Sequence, residues 1–147
     1  MNKVLINILG PGRTGSTILH LMLANNDSSF AAGELYALKW PWRSHHFHPK
    51  CFCNKSRCIW SEFSNIPDSE IHSKIFKDFD YIVDESKFLP WVLDTNIWAR
   101  HSNFKVMNVL LFKDLEEHIF SWWKRGFDLD RFKTTVFYSR SKLIALY

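Results

Sequence analysis

The chain has 147 residues, 46% hydrophobic and 23% charged, a balance that suits one globular domain with enough apolar side chains to fill a core. Its net charge of +4, with seven His besides, favours an anionic ligand, but the basic residues are scattered, which points to a small anion rather than nucleic acid. No stretch approaches the roughly 18 apolar residues of a membrane span, and the first apolar run is about six residues, short of the roughly 7–15 of a signal-peptide core, so a cytoplasmic protein is expected.

The sequence VLINIL (Val4–Leu9) predicts a strand covered on both faces. A glycine-rich turn follows, and then GSTILHLMLANN (Gly15–Asn26), whose apolar residues at 18, 19, 22 and 23 keep a helical spacing. SSFAAGELYAL (Ser28–Leu38) reads as a short second strand ending in a turn. Residues 39–65 lose any clear period and are rich in Trp, His and Cys, which predicts an irregular, aromatic-stabilised insertion within a single domain, 1–147. Ser69 can cap a helix reaching about Phe79. DYIVDES (Asp80–Ser86) predicts a strand running into a loop, and LPWVLDTNIW (Leu89–Trp98) a helix with Pro90 tolerated in its first turn. FKVMNVLLF (Phe104–Phe112) is the clearest strand. DLEEHIFSWWKRG (Asp114–Gly126) opens with Asp and carries Glu117 three residues later, a capping-box arrangement, and it closes on Lys-Arg-Gly. Helix is expected from there to Tyr147. Strands alternating with helices imply βαβ units, hence an α/β three-layer sandwich around a central parallel sheet. The loops after strands 4–9, 81–84 and 106–112 should converge on one site, because such sheets bind ligands at the carboxyl ends of their strands.

The first of those loops carries the main motif. Gly10-Pro11-Gly12-Arg13-Thr14-Gly15 has the spacing of the nucleotide-binding pattern G-x-x-x-x-G-K-S/T, but Ser16 stands where the lysine belongs and Thr17 where the hydroxyl does. Backbone amides of such a turn and helix start still suit a phosphate. Arg13 adds a planar fork that matches a pair of phosphate oxygens. The plainer alternative is a strand–turn–helix in which Ser16 and Thr17 only cap the helix.

GPGRTGSTILHLML resembles the 5′-phosphosulfate loop of sulfotransferases that use 3′-phosphoadenosine-5′-phosphosulfate (PAPS), a loop that commonly reads Arg-Ser-Gly-Ser/Thr-Thr followed by leucines; here Thr14 replaces the first Ser. LLFKDLEEHIFSWWKRG resembles that family's 3′-phosphate site, with Lys113 in place of the usual Arg, Asp114 in place, and Ser121 eight residues after Lys113. YIVDESK resembles the strand-end segment that delivers a lysine, Gly33-Glu34 matches a branch whose base is a glutamate, and CFCNKSRCIW resembles a Cys-rich insertion of some members. The resemblance covers most of residues 4–126. It departs at Lys113, a point charge where a bidentate fork is usual, and in the lack of the C-terminal part that completes the adenosine and acceptor sites, so the chain reads as truncated.

The resemblance implies a P-loop NTPase-like fold and a sulfotransferase that uses PAPS as sulfuryl donor, without a metal. Arg13, Thr14, Gly15, Ser16 and Thr17 would hold the 5′-phosphate, and Lys113 and Ser121 the 3′-phosphate. Glu34 would be the general base and Lys87 would face the leaving phosphate. Taken singly, these residues have ordinary readings: a solvated turn carboxylate, surface lysines, and a helix serine bonded to its own backbone. Ser86 could share the site or cap the following helix, and His101 and the cluster at 45–48 are competing bases. Lys124 and Arg125 suit a helix C-terminus. Cys51, Cys53 and Cys58 are left open between free thiols, a disulfide and a zinc site with nearby His; the C-x-C spacing is weak for zinc. The acceptor would be a small molecule, carbohydrate or peptide, and self-association or a partner chain would supply what the C-terminus lacks. Two alternatives stand beside this reading. One is a degenerate P-loop kinase or NTPase with Asp84 as its metal-binding carboxylate, and the other is a non-catalytic remnant that binds PAPS or its product.

Overall fold

The structure is a computed structural model and describes residues 3–39, 63 and 66–126. Its elements run β1 (Val4–Leu9), α1 (Ser16–Leu23), β2 (Ser29–Gly33), a 3-10 turn (Leu35–Lys39), α2 (Asp68–Ile75), β3 (Tyr81–Asp84), α3 (Leu89–Ser102), β4 (Lys105–Leu110) and α4 (Leu115–Trp123). The four strands form an all-parallel sheet in the order β2-β3-β1-β4. The expected α/β class with a parallel sheet is therefore present.

Strand alternation and helix placement agree. Leu5, Asn7 and Leu9 point to one face of β1, and their partners on β3 by register, Ile82 and Asp84, share it. On that face Leu5 and Ile82 join Ile71, Ile75 and Phe76 around α2 and Trp91, Ala99 and Phe104 around α3 in one core. Fully burying a Leu, Ile or Phe side chain of this core contributes roughly 1.5–3 kcal/mol. Asn7 donates to Asn108 (3.0 Å) and weakly to Thr95 (3.4 Å), tying β1 to β4 and α3 beneath the sheet. α1 covers the opposite face, packed on β1, β3 and β2. The chain leaves β1 toward β2 and leaves β3 toward β4, in opposite directions along the sheet. Right-handed crossovers put the two helices on opposite faces and open a crevice at the carboxyl ends of β1 and β3.

The short second strand ends in a turn as expected: β2 stops at Gly33, where its register slips between Ala31 and Gly33, and the turn is a 3-10 turn. Several boundaries differ from the sequence reading. α2 begins after Pro67 with no side-chain cap, so Ser69 lies inside the helix. α3 runs on to Ser102 and ends at Asn103, which is left-handed (φ 54°). Almost all of the Trp/His/Cys-rich insertion, with its three cysteines, and the segment after Gly126 lie outside the described residues. Among the described residues, no helix is long and apolar enough to cross a membrane.

Candidate functional site

The loop from Gly10 to Thr17 leaves β1 at this crevice. Gly10 has φ 137°, and a side chain there would sit 2.6 Å from the Leu111 carbonyl, so only glycine lets the loops after β1 and β4 abut. Arg13 is held in the left-handed region (φ 73°), as is Gly15 (φ 90°). For a non-glycine residue that conformation costs of order 1–3 kcal/mol, and such outliers cluster at ligand sites. Gly15 is the N-cap of α1 and no side chain caps the helix. The first helical bond runs from the Leu19 amide to the Gly15 carbonyl. Among the described residues, the turn at Gly12–Arg13 takes the Thr14 amide back to Pro11, and no hydrogen bond engages the amides of residues 13 and 15–17. Left-handed residues beside amides without a hydrogen bond, at a positive helix end, suit an anion.

The capping alternative for Ser16 and Thr17 is thereby set aside. Ser16 is buried, while the Thr17 hydroxyl donates to Glu85 Oε2 at 3.1 Å. Thr14 donates to the Pro11 carbonyl (2.9 Å) and closes the turn on itself. The Arg13 side chain is exposed.

The end of β3 separates two adjacent carboxylates by strand alternation. Asp84 faces α3 and is fully buried. It accepts from the Ser86 amide (2.7 Å), the Ser86 hydroxyl, Trp91 Nε1 (2.9 Å) and the Leu35 amide (3.4 Å). Burial pushes its carboxyl up to about 6, against the pull of those donors. Asp84 is thus a structural knot, with its lone pairs engaged. Ser86 belongs to the same knot and accepts from the Tyr36 amide (3.1 Å), so it does not cap α3. Glu85 turns the other way, to the loop. Its carboxylate receives Thr17 and lies 3.6 Å from Lys87 Nζ, which in turn lies 3.8 Å from Glu34 Oε1.

Glu34 reaches this place because its neighbours are pinned. The Gly33 amide donates to His20 Nε2 (3.0 Å), the Gly33 carbonyl accepts from the Glu85 amide (2.8 Å), and the amides of Leu35 and Tyr36 bond to Asp84 and Ser86. The bulge at the end of β2 re-aims the chain there, as bulges beside active sites commonly do. His20 accepts through Nε2 and so is neutral in this role; burial lowers its affinity for a second proton.

The remaining predicted residues lie across the crevice. Lys113 follows β4 and pairs with Glu117 at 3.8 Å. Asp114 caps α4 as expected, accepting from the amides of Glu116 (2.9 Å) and Glu117 (3.3 Å). Ser121 is half-buried on the same helix, which touches the loop through His118 Nε2, 2.6 Å from the Gly12 carbonyl. Lys124 is the helix C-cap residue, with its ammonium over the Phe120 ring. His101 is exposed on α3.

The structure therefore brings Thr17, Lys87 and Glu34 together through Glu85, and Lys113 and Ser121 share the α4 side of the loop. Glu85, His20 and His118 were not singled out from sequence. For Glu85 the available signal was its place one residue past Asp84, at the end of a strand with period-two alternation. Compared with known proteins, no family model matches this chain and no curated protein matches it.

Proposed function

We propose that this protein binds PAPS and transfers its sulfuryl group to an acceptor hydroxyl or amine. The observation that carries the reading is the contact series Thr17–Glu85–Lys87–Glu34. It links the anion-binding loop to a lysine and a carboxylate at the carboxyl ends of adjacent strands. The loop has left-handed residues, and its amides at residues 13 and 15–17 carry no hydrogen bond among the described residues, which suits a 5′-phosphate. Its lysine-free sequence suits a ligand with no γ-phosphate to hold.

The donor supplies an activated sulfur–oxygen bond. Glu34 takes the proton of the acceptor as its oxygen or nitrogen attacks sulfur. Lys87 exchanges its carboxylate partners for the oxygen that leaves with the 5′-phosphate and meets the charge developing there. Arg13 and the loop amides hold the phosphate, Thr17 is oriented by Glu85, and Lys113 and Ser121 grip the 3′-phosphate. Glu85 is a positioning residue, because its contacts are to Thr17 and Lys87. The kinase or NTPase alternative is disfavoured by Asp84, whose oxygens are engaged by Ser86, Trp91 and Leu35 and enclosed by the core.

The test is transfer from labelled PAPS to a mixed panel of alcohols, phenols, sugars and amines. Glu34→Gln should lower turnover by about 10²–10⁴, while affinity for the product 3′-phosphoadenosine-5′-phosphate (PAP) stays within a few fold. Full turnover in the variant would move the base elsewhere. Binding of PAP with no transfer by the wild type would reduce the function to nucleotide binding.

A further inference from the structure

α4 meets the loop at Gly12. His118 is buried, and its Nε2 lies 2.6 Å from the Gly12 carbonyl oxygen and 3.0 Å from Trp122 Nε1. A carbonyl only accepts and an indole N–H only donates, so a single ring nitrogen cannot satisfy both. The shorter contact is to the acceptor, and two lone pairs at that distance would repel. The proton therefore belongs on Nε2, donated to Gly12. Trp122 presses on the same residue: a side chain at Gly12 would lie 3.3 Å from its ring.

The consequence follows from the planar trans peptide. Its carbonyl and amide point in opposite directions, so holding the Gly12 carbonyl toward α4 turns the Arg13 amide away from α4. Arg13 is the residue kept in the strained left-handed conformation. We infer that His118 is a positioning residue for the loop: its Nε2–H bond fixes the Gly12–Arg13 peptide and thereby sets the loop's affinity for a phosphate. Because α4 also carries Ser121 and begins just after Lys113, the helix joins the 3′-phosphate grip to the 5′-phosphate loop. This rests on the PAPS reading for the identity of the ligand, but not for the bond itself.

The experiment compares His118→Phe, which keeps a planar ring without the donor, with His118→Gln, whose side-chain amide restores a donor near the Nε2 position. PAP and AMP are titrated into each. The Phe variant should lose about three- to tenfold in affinity for both ligands alike, the effect of one neutral hydrogen bond, and Gln should recover most of it. A general structural role would not be rescued by Gln, and a role at the 3′ end would spare AMP. Unchanged affinity in the Phe variant, or a Gln variant as weak as Phe, overturns the inference. If the wild type binds neither nucleotide, the PAPS reading fails and the ¹⁵N spectrum of the wild-type imidazole decides the rest. A proton on Nε2, with the Arg13 amide resonance displaced in the Phe variant, sustains the positioning role. A proton on Nδ1 alone overturns it, with no variant required.

Discussion

The two sides of the crevice are built differently. On one side the end of β3, the end of β2 and α3 are cross-tied through Asp84, Ser86, Trp91 and the backbone of residues 33–36, all packed over a fully buried core. On the other, β4, α4 and the connection between them leave Met107, Phe112, Leu115, Phe120 and Trp123 exposed, and α4 meets the loop through His118 and Trp122. The proposed chemical groups, Glu34 and Lys87, stand on the rigid side. The proposed phosphate grips, Lys113 and Ser121, stand on the open side. Chemistry needs groups fixed to within fractions of an ångström, whereas phosphate capture depends on charge that long side chains can bring. Substitutions on the rigid side should therefore cost folding, and those at the loop and on the open side should cost binding.

The largest break would come at Asp84. Asp84→Ala removes the acceptor shared by Ser86, Trp91 and Leu35 and leaves buried donors unpaired, which should cost roughly 3–5 kcal/mol. Chemical denaturation would show it. A loss below about 1 kcal/mol, the scale of an exposed pair, would mean that the β3 end is not the rigid side.

The next effect depends on pH and concerns His72, which is fully buried between the rings of Trp91, Trp98 and Phe104, with neither ring nitrogen hydrogen-bonded among the described residues. Burial lowers its pKa from 6.5 to about 3. Below pH 6.5 the unfolded chain takes up a proton that the folded chain refuses until about pH 3, so this group withdraws stability as pH falls through that window. Asp84 works in the opposite direction. Its folded pKa is about 6 against 3.8, so the folded chain gains a proton first and is favoured as pH falls from about 6 to 3.8. The two partly cancel in the wild type. His72→Phe removes one of them. Its stability relative to wild type should stay within about 1.5 kcal/mol at pH 7 and then rise by roughly 1.4 kcal/mol per pH unit below about 6.5. A gap that does not change with pH would show that His72 is not held neutral.

At the loop the expected effect is smaller and of another kind. Arg13→Gly removes a charged contact to phosphate but suits the left-handed conformation better. PAP affinity should fall roughly tenfold or more, the loss of one charge-assisted contact, while the melting temperature holds or rises slightly. A fall in stability together with affinity would make Arg13 part of the scaffold.

Much of the architecture was legible because it follows from period and punctuation. The apolar run at Val4–Leu9 is a strand, α1 starts at the glycine turn, and the Asp114 cap sits where its spacing from Glu117 placed it. That β2 is short and ends in a turn was legible as well, but its register slip at Gly33 was not, since it depends on the partner strand rather than on local propensity. The fates of Asp84 and Glu85 were also hidden, since two neighbouring carboxylates look alike until the sheet assigns one face to each. Thr17, Lys87 and Glu34 were named from the family resemblance, whereas Glu85, which joins them, lies within the segment YIVDESK without a role the resemblance assigns. Likewise His118 reads as an ordinary helix residue until the loop after β1 is seen against it.

The most direct test is calorimetry of PAP against AMP with the wild-type chain and Ser121→Ala. With Lys113 and Ser121 gripping the 3′-phosphate, two charge-assisted contacts worth roughly 1.5–3 kcal/mol each should make PAP at least tenfold tighter than AMP. Ser121→Ala should narrow that ratio while leaving AMP unchanged, and Lys113→Arg, which restores a fork, should preserve or widen it. Equal affinities of the wild type for PAP and AMP would contradict the 3′-phosphate site and, with it, the proposal that this fold binds PAPS.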